Sequence, residues 1–576
     1  MKKIISVLLL LAMLVLPLAS CGKKGTETVT TTAAAGTASE TDSATTAPDT
    51  TVEETTAEAT IDEKWETIAS KVSIIQEKDR TLRIELSKHS DAEKTSKNDK
   101  YVVGPDEIVP GTTPVIEQMV YERNKAAFDL LQVKIEEYLY WDYDWSKQAE
   151  KIKTVVQGNA NDAPDLFVNM ISDLNMAVLN GVFKDTWSIP NAYFDFESKG
   201  WMTDYMNSLS LTGDRSYILA GDYFLDVLRA MGVIPVNITM MDQNAAKLAP
   251  AIIGENETLG AGEELSARFF DFVEEGKWTW DVLGKLCEAI WVDENGDGQD
   301  SITDVLGIVT DNFGGLAHEM YIFSASGDDL FEVRTIEDES SQYNGKDWIY
   351  YSEDSTALGK IFDAVASVHT GKGAMITTGN FQANTPEKPG AAYHRMKFAE
   401  GTMLTAGTVV LGALEDESFQ QMTDIFTVVP LPKISEEKQY NTPIHTIGDA
   451  GAINVNTNPR KARALSAFLQ YNCEHSAEIR REFLEIVMKY KTTTYNQGTD
   501  RMLDIIYDSV ITGRDKMIED CVGGNNRFII IMRNGNCEVT SSDLASQYQS
   551  AISSKQSMLN AIIRTWYTLP KVESAN

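Results

Sequence analysis

Residues 293 to 304, Asp-Glu-Asn-Gly-Asp-Gly-Gln-Asp-Ser-Ile-Thr-Asp, place oxygen-bearing side chains at alternate positions around two glycines. With Asp293 as position 1, donors fall at Asn295 (position 3), Asp297 (position 5) and Asp304 (position 12), with Gly298 at position 6. A hard cation needs several oxygens at short range, and a glycine at position 6 permits the sharp turn that lets them converge. Gln299 at position 7 would offer its backbone carbonyl, and Ser301 at position 9 its hydroxyl, directly or through water. The expected ion is a structural calcium held by Asp293, Asn295, Asp297, Gln299, Ser301 and Asp304. A solvated Asp/Gly turn without metal is the plainer alternative. A regulatory sensor is disfavoured, because a single loop lacks the paired motif that opens a hydrophobic groove.

Other chemistry is hard to find. The chain has six histidines in 576 residues, and the stretch beginning at His318 carries Ile322 where a zinc-protease helix needs its second histidine. No G-x-S-x-G elbow and no phosphate-binding glycine loop occurs. Eighty-five acidic residues guarantee many close carboxylate pairs, and nothing singles one out as a glycosidase pair. The 51 basic residues leave a net charge of −34, which repels phosphate backbones, so a nucleic-acid partner is excluded. The same excess of carboxylates keeps an exported protein soluble.

Export is written at the amino end. Residues 1 to 20 give two lysines, an apolar run and small residues, the pattern of a secretory signal too short to span a bilayer. Leu18, Ala19, Ser20 and Cys21 resemble the lipobox of a bacterial lipoprotein precursor, which implies a lipid on Cys21. Residues 21 to 62 then form a Thr-, Ala- and Glu-rich tether too poor in apolar side chains to build a core. Cys287 and Cys473 sit in apolar helical patterns and read as buried thiols. Cys521 and Cys537 flank a segment able to fold back on itself, leaving a disulfide open.

The elements that must position these residues alternate. Trp65, Ile68, Val72 and Ile75 share one helical face, and a strand follows at 81 to 86. Helices are expected over 114 to 131 and 146 to 157, the latter followed by an apolar strand in "APDLFVNM". Thr279 caps a helix that leads directly into the 293–304 loop. Later strands are expected at 408 to 412, 424 to 432 and 451 to 456, and Asn458 and Pro459 open a helix as cap and first-turn proline. Leu544, Tyr548, Ile552, Leu559 and Ile562 mark a long amphipathic helix at the end. Such alternation argues for open α/β sheets, with any ligand at the carboxyl ends of the strands.

In their joint order the lipobox, "YERNKAAFDLLQVKI", "APDLF" with "NGVFKD", "KWTWDVLGKL", "DENGDGQDSITDVLGI", "VVPLPK" and "GAINVN" resemble the extracellular solute-binding proteins of family 1. That family comprises the lipoprotein receptors of ABC importers for sugars and oligosaccharides. The resemblance implies a two-lobed, periplasmic-binding-protein-like α/β fold with a hinge and an interlobe cleft. Lobe 1 is placed at 63–232 plus 405–448, and lobe 2 at 233–404 plus 449–576. It further implies a monomer on the extracellular face of the cell membrane, a carbohydrate ligand, ABC permease subunits as partners, and no catalysis. Expected cleft residues are Asn169, Ser172 and Asp173 after the "APDLF" strand, with Asp222 and Tyr223 near the first crossover. The crossover "GVIPVNITMMDQN" lacks the Tyr-Asn-Lys pattern common in the family, which leaves a peptide ligand open. From other classes, a secreted carbohydrate-active enzyme is the rival, and a dockerin-like scaffold is disfavoured by the single loop.

Overall fold

The structure, a computed structural model, describes residues 61–88, 97–142, 144, 147–158, 162–311, 331–377, 384–385, 388–389, 391–445, 447–489, 497–510, 517–518, 521 and 541–569. The signal, Cys21, most of the tether, His318 and Cys537 lie outside the described residues. The chain begins with helix α1 (Ile61–Ser73), strand β1 (Thr81–Lys88), α2 (Val115–Leu131), β2 (Lys134–Asp142), α3 (Gln148–Gly158), β3 (Leu166–Met170) and α4 (Ile171–Val178). Trp65, Ile68, Val72 and Ile75 bury the face of α1 that their spacing predicts. β1, β2 and β3 are parallel, and β3 is buried along its whole length, as a strand covered on both sides must be.

A short helix α5 (Leu225–Arg229) leads into β4 (Gly232–Asn237), which starts a second sheet. Helices α6 (Leu265–Glu274) and α7 (Trp280–Ile290) follow, then β5 (Leu306–Asp311), the hairpin β6 (Phe331–Thr335) and β7 (Asp347–Tyr351), α8 (Thr356–His369) and β8 (Ala374–Thr377). The Thr279 side chain accepts from the Val282 N–H and caps α7 as its sequence position predicts. The second sheet is completed by β9 (Met403–Thr405), β10 (Val409–Val410) and β11 (Phe426–Val429) in the order β10-β4-β9-β5-β8, with β11 also paired to β4. β12 (Asp449–Ile453) then returns to the first sheet, whose order is β12-β3-β1-β2 with β12 antiparallel to β3. The chain ends in α9 (Pro459–Glu474), α10 (Ala477–Lys489), α11 (Gln497–Asp508) and α12 (Ser541–Thr568).

The mixed α/β class agrees with expectation, but two allocations exchange. Strands within 405–448 pair with β4 in the second sheet, whereas β12, at the start of 449–576, pairs with β3 in the first. Helices α9 and α10 pack on α2 beside the first sheet. Of the described helices after β12, α11 packs against α6 and β11, and α12 against α8 and β7. A five-residue strand buried on both faces carries no periodicity that names its sheet, so the sequence pattern could not decide. Cys287 and Cys473 are fully buried free thiols. Among the described residues no helix is long and apolar enough to cross a membrane.

Two segments carry the chain between sheets side by side. Met231 and Ile444 form an antiparallel bridge, the Gly232 N–H donates to the Pro443 carbonyl, and the His445 N–H to that of Ala230. These crossing segments meet the carboxyl end of the first sheet, because Asp449 at the start of β12 lies opposite Met170 at the end of β3.

Candidate ligand cleft

Parallel strands end here, and a crevice outside their carboxyl ends is the general place for a ligand in an open α/β sheet. A cavity of about 320 Å³ opens at this point. Lys97 comes from the segment after β1, Asp226, Arg229 and Ala230 from α5 and the first crossing, Val410 and Gly412 from β10 and its extension, and Gly448 from the return crossing. The glycines are required by close approach. A Cβ on Gly448 would lie 2.7 Å from Ala230 Cβ, and one on Gly412 3.0 Å from Arg229 Cβ.

The cavity's polar wall is one linked network. Asp226 is buried, with its carboxylate on the Lys97 ammonium and the Arg229 guanidinium, the latter at 2.6 Å, and it also accepts the Asp449 N–H at 2.8 Å. Burial alone would raise its pKa, but the two cations outweigh that and lower it to about 2. Arg229 extends its other nitrogen 2.6 Å to Glu415, which also accepts the Tyr101 hydroxyl at 2.6 Å. Behind this wall Asp449 accepts from Asn98 Nδ2 at 2.6 Å. The groups are therefore held in fixed directions by one another, an arrangement of set hydrogen-bond donors and acceptors.

The five residues expected to face a cleft are not among those lining this cavity. Asn169 is fully buried and donates to both oxygens of Glu85 at 3.3 and 3.2 Å. Burial holds the Glu85 carboxyl well above the usual range, against the bond from Asn169. Asn169 thus supports the sheet end from within. Ser172 is half-buried and Asp173 buried in the first turn of α4. Tyr223 is a core residue, fully buried with its ring under the Arg123 guanidinium at 4.9 Å and against Phe224 and Phe468. Asp222 is buried too and serves another place: it accepts from Arg480 at 2.9 Å and from the Tyr507 hydroxyl at 3.0 Å. Sequence reasoning missed Lys97, Asp226, Arg229 and Glu415. For Asp226 and Arg229 a signal existed, an acid and a base three apart inside the apolar run "FLDVLRAMGVIP". Lys97 stands in a polar stretch that offers none.

The 293–304 loop lies between α7 and β5, its ends closed by a Val292–Val305 bridge. Asp293 accepts from the N–H groups of Gly296 (2.6 Å) and Gly298 (2.7 Å), which hold its carboxyl below the usual range, the Gly298 bond most of all. Asn295 accepts from Asp297 N–H and Asp297 from Gln299 N–H. The buried Asp304 accepts from Glu294 and Ser301 N–H. Gly296 and Gly298 take positive φ of 76° and 72°, the conformation that such a tight loop requires. Among the described residues no three His, Cys, Asp or Glu side chains converge as a metal-ligand group. The oxygen-only donors suit a hard cation, and each amide-bound carboxylate oxygen keeps a second lone pair.

No family model matches the chain, and no curated protein does. Solved structures do. A family 1 extracellular solute-binding protein from Alicyclobacillus acidocaldarius is 12% identical over 83% of this chain and 98% of its own, with a TM-score of 0.43. An ABC substrate-binding protein from Listeria monocytogenes, in complex with cycloalternan, is 13% identical over 84% and 99%, with a TM-score of 0.45. UgpB from Mycobacterium tuberculosis, in complex with glycerophosphocholine, is 13% identical over 78% and 96%, also at 0.45. Identities this low leave the ligand to be inferred from the chain's own residues.

Proposed function

We propose that this chain is an extracellular solute-binding protein, anchored through a lipid on Cys21, that captures a carbohydrate between its two α/β lobes and delivers it to an ABC permease. The ligand is an oligosaccharide, and the protein works as a monomer without altering it. The observation that carries the reading is the cavity at the paired crossing segments, where Lys97, Asp226 and Arg229 are fixed by mutual ion pairs. Fixed donors and acceptors in a crevice suit recognition of hydroxyl groups. Asp226, ionised at any physiological pH, is unsuited to act as a general acid, which weighs against the glycosidase alternative. Calcium belongs to the same proposal as a structural ion, held by Asp293, Asn295, Asp297, Gln299, Ser301 and Asp304, and fastens α7 to β5.

The test is incubation of the mature protein with end-labelled oligosaccharides. They are expected to be bound and recovered intact; cleaved product would make the chain an enzyme and end the receptor reading.

A further inference from the structure

A second, larger cavity of about 500 Å³ lies away from the crossing-segment cavity and shares no lining residue with it. One wall is the segment from Phe196 to Asn207, tied to the first sheet's side by a Trp201–Gly221 bridge. The opposite wall is α11, which the Thr499–Thr427 hydroxyl pair (3.0 Å) and the Arg501–Asp271 ion pair (2.9 Å) fasten to the second sheet's side. Arg480 and Leu484 of α10 complete the lining. Both cavities fall in the range of about 300–1,000 Å³ typical of small-molecule sites.

The floor is built. Buried Asp222 holds Arg480 and Tyr507 at once, and the guanidinium lies 4.0 Å over the Tyr507 ring, so both present fixed faces to the cavity. The lining supplies both hydrogen-bonding senses: Glu197, Asp204, Asp504 and Asp508 accept, Lys199 and Arg480 donate, and Asn207 does both. Phe196 and Leu503 add apolar surface. An anion would meet four carboxylates, and a cation would meet Lys199 beside the Asp222-paired Arg480, whereas a hydroxyl both donates and accepts and so satisfies either kind of neighbour. Planar carboxylate, amide and guanidinium groups also suit vicinal hydroxyls, which present two hydrogen-bonding atoms in one plane.

We infer that this cavity is a second binding site, for a neutral saccharide, in which Asp222 acts as the positioning residue for Arg480 and Tyr507. The inference shares with the proposed function only the class of ligand.

The test is isothermal titration calorimetry of the mature protein with maltotriose, cellotriose and xylotriose, and with 1,4-diaminobutane as a cationic probe. Wild type is expected to take two equivalents of at least one trisaccharide. The double variant Asn207→Leu/Asp504→Leu, altered at two solvent-facing positions, should take one, with the remaining dissociation constant within about twofold. Lys97→Ala should weaken the other equivalent instead. A single equivalent bound alike by wild type and double variant would overturn the second site and leave the proposed function standing. Diamine binding lost on the double substitution, with no trisaccharide affected, would overturn the saccharide assignment. No saccharide bound at either site would defeat both.

Discussion

Asp222 and Asp226 stand four residues apart, both buried, and burial acts on them with opposite results. Asp226 has two cations on its carboxylate, and its folded pKa of about 2 lies below the ordinary carboxylate value of about 3.9. Its stabilising contribution is present above pH ~4 and is lost as pH falls through ~2. Removing it leaves Lys97 partly buried without its carboxylate and Arg229 with Glu415 alone, so Asp226→Ala should cost about 3 kcal/mol in urea denaturation at pH 7. Asp222 has one guanidinium and a hydroxyl against full burial, and its pKa rises to about 6. The sign reverses: the folded state binds the proton more tightly, so this group's contribution improves as pH falls from ~6 to ~4. Asp222→Asn should remove that gain, and denaturation midpoints of wild type and variant at pH 4, 5, 6 and 7 measure it. A difference constant across that range would contradict the assignment. The full set of cations on either acid was not legible in the sequence, because Lys97 reaches Asp226 and Arg480 reaches Asp222 from over a hundred residues away.

Capping residues and hydrophobic spacing predict individual helices directly. The Asn458 side chain accepts from the Lys461 N–H, and Pro459 opens α9, as the Asn-Pro pair predicts. What the sequence left open was which sheet a short buried strand joins. Within β12, Gly451 lets Phe224 press against the strand. A Cβ there would sit 2.3 Å from the ring's Cζ, and Phe224 is itself fully buried. Gly451→Ala should therefore cost about 1–3 kcal/mol through overpacking, read from the urea midpoint. The 293–304 loop permits a sharper experiment, since its acids do different work. Asp304 is buried on two loop amides, so Asp304→Ala should lower the melting temperature with or without a chelator. Asp297 is exposed and, among the described residues, accepts the Gln299 N–H alone. If the loop takes calcium, Asp297→Ala should lower the melting temperature in calcium buffer and have little effect in chelator. Equal behaviour of that variant in both buffers would leave the loop a metal-free turn.

For the molecule as a whole, the sequence foretold an α/β chain, and the two sheets joined by paired crossing segments agree. It could not foretell that the cleft's polar wall would draw on Lys97, α5 and Glu415 together, since no spacing links them. Central to the account is that a saccharide binds at this wall and is left intact. The most direct measurement is the unfolding free energy of mature wild type and of Lys97→Ala, each with and without oligosaccharide. A ligand at 100 times its dissociation constant should stabilise wild type by about 2.7 kcal/mol. The variant should need at least tenfold more ligand for the same gain, and the sugar should be recovered unchanged. Equal stabilisation of both proteins would place the ligand elsewhere, and stabilisation by peptides but by no saccharide would contradict the account outright.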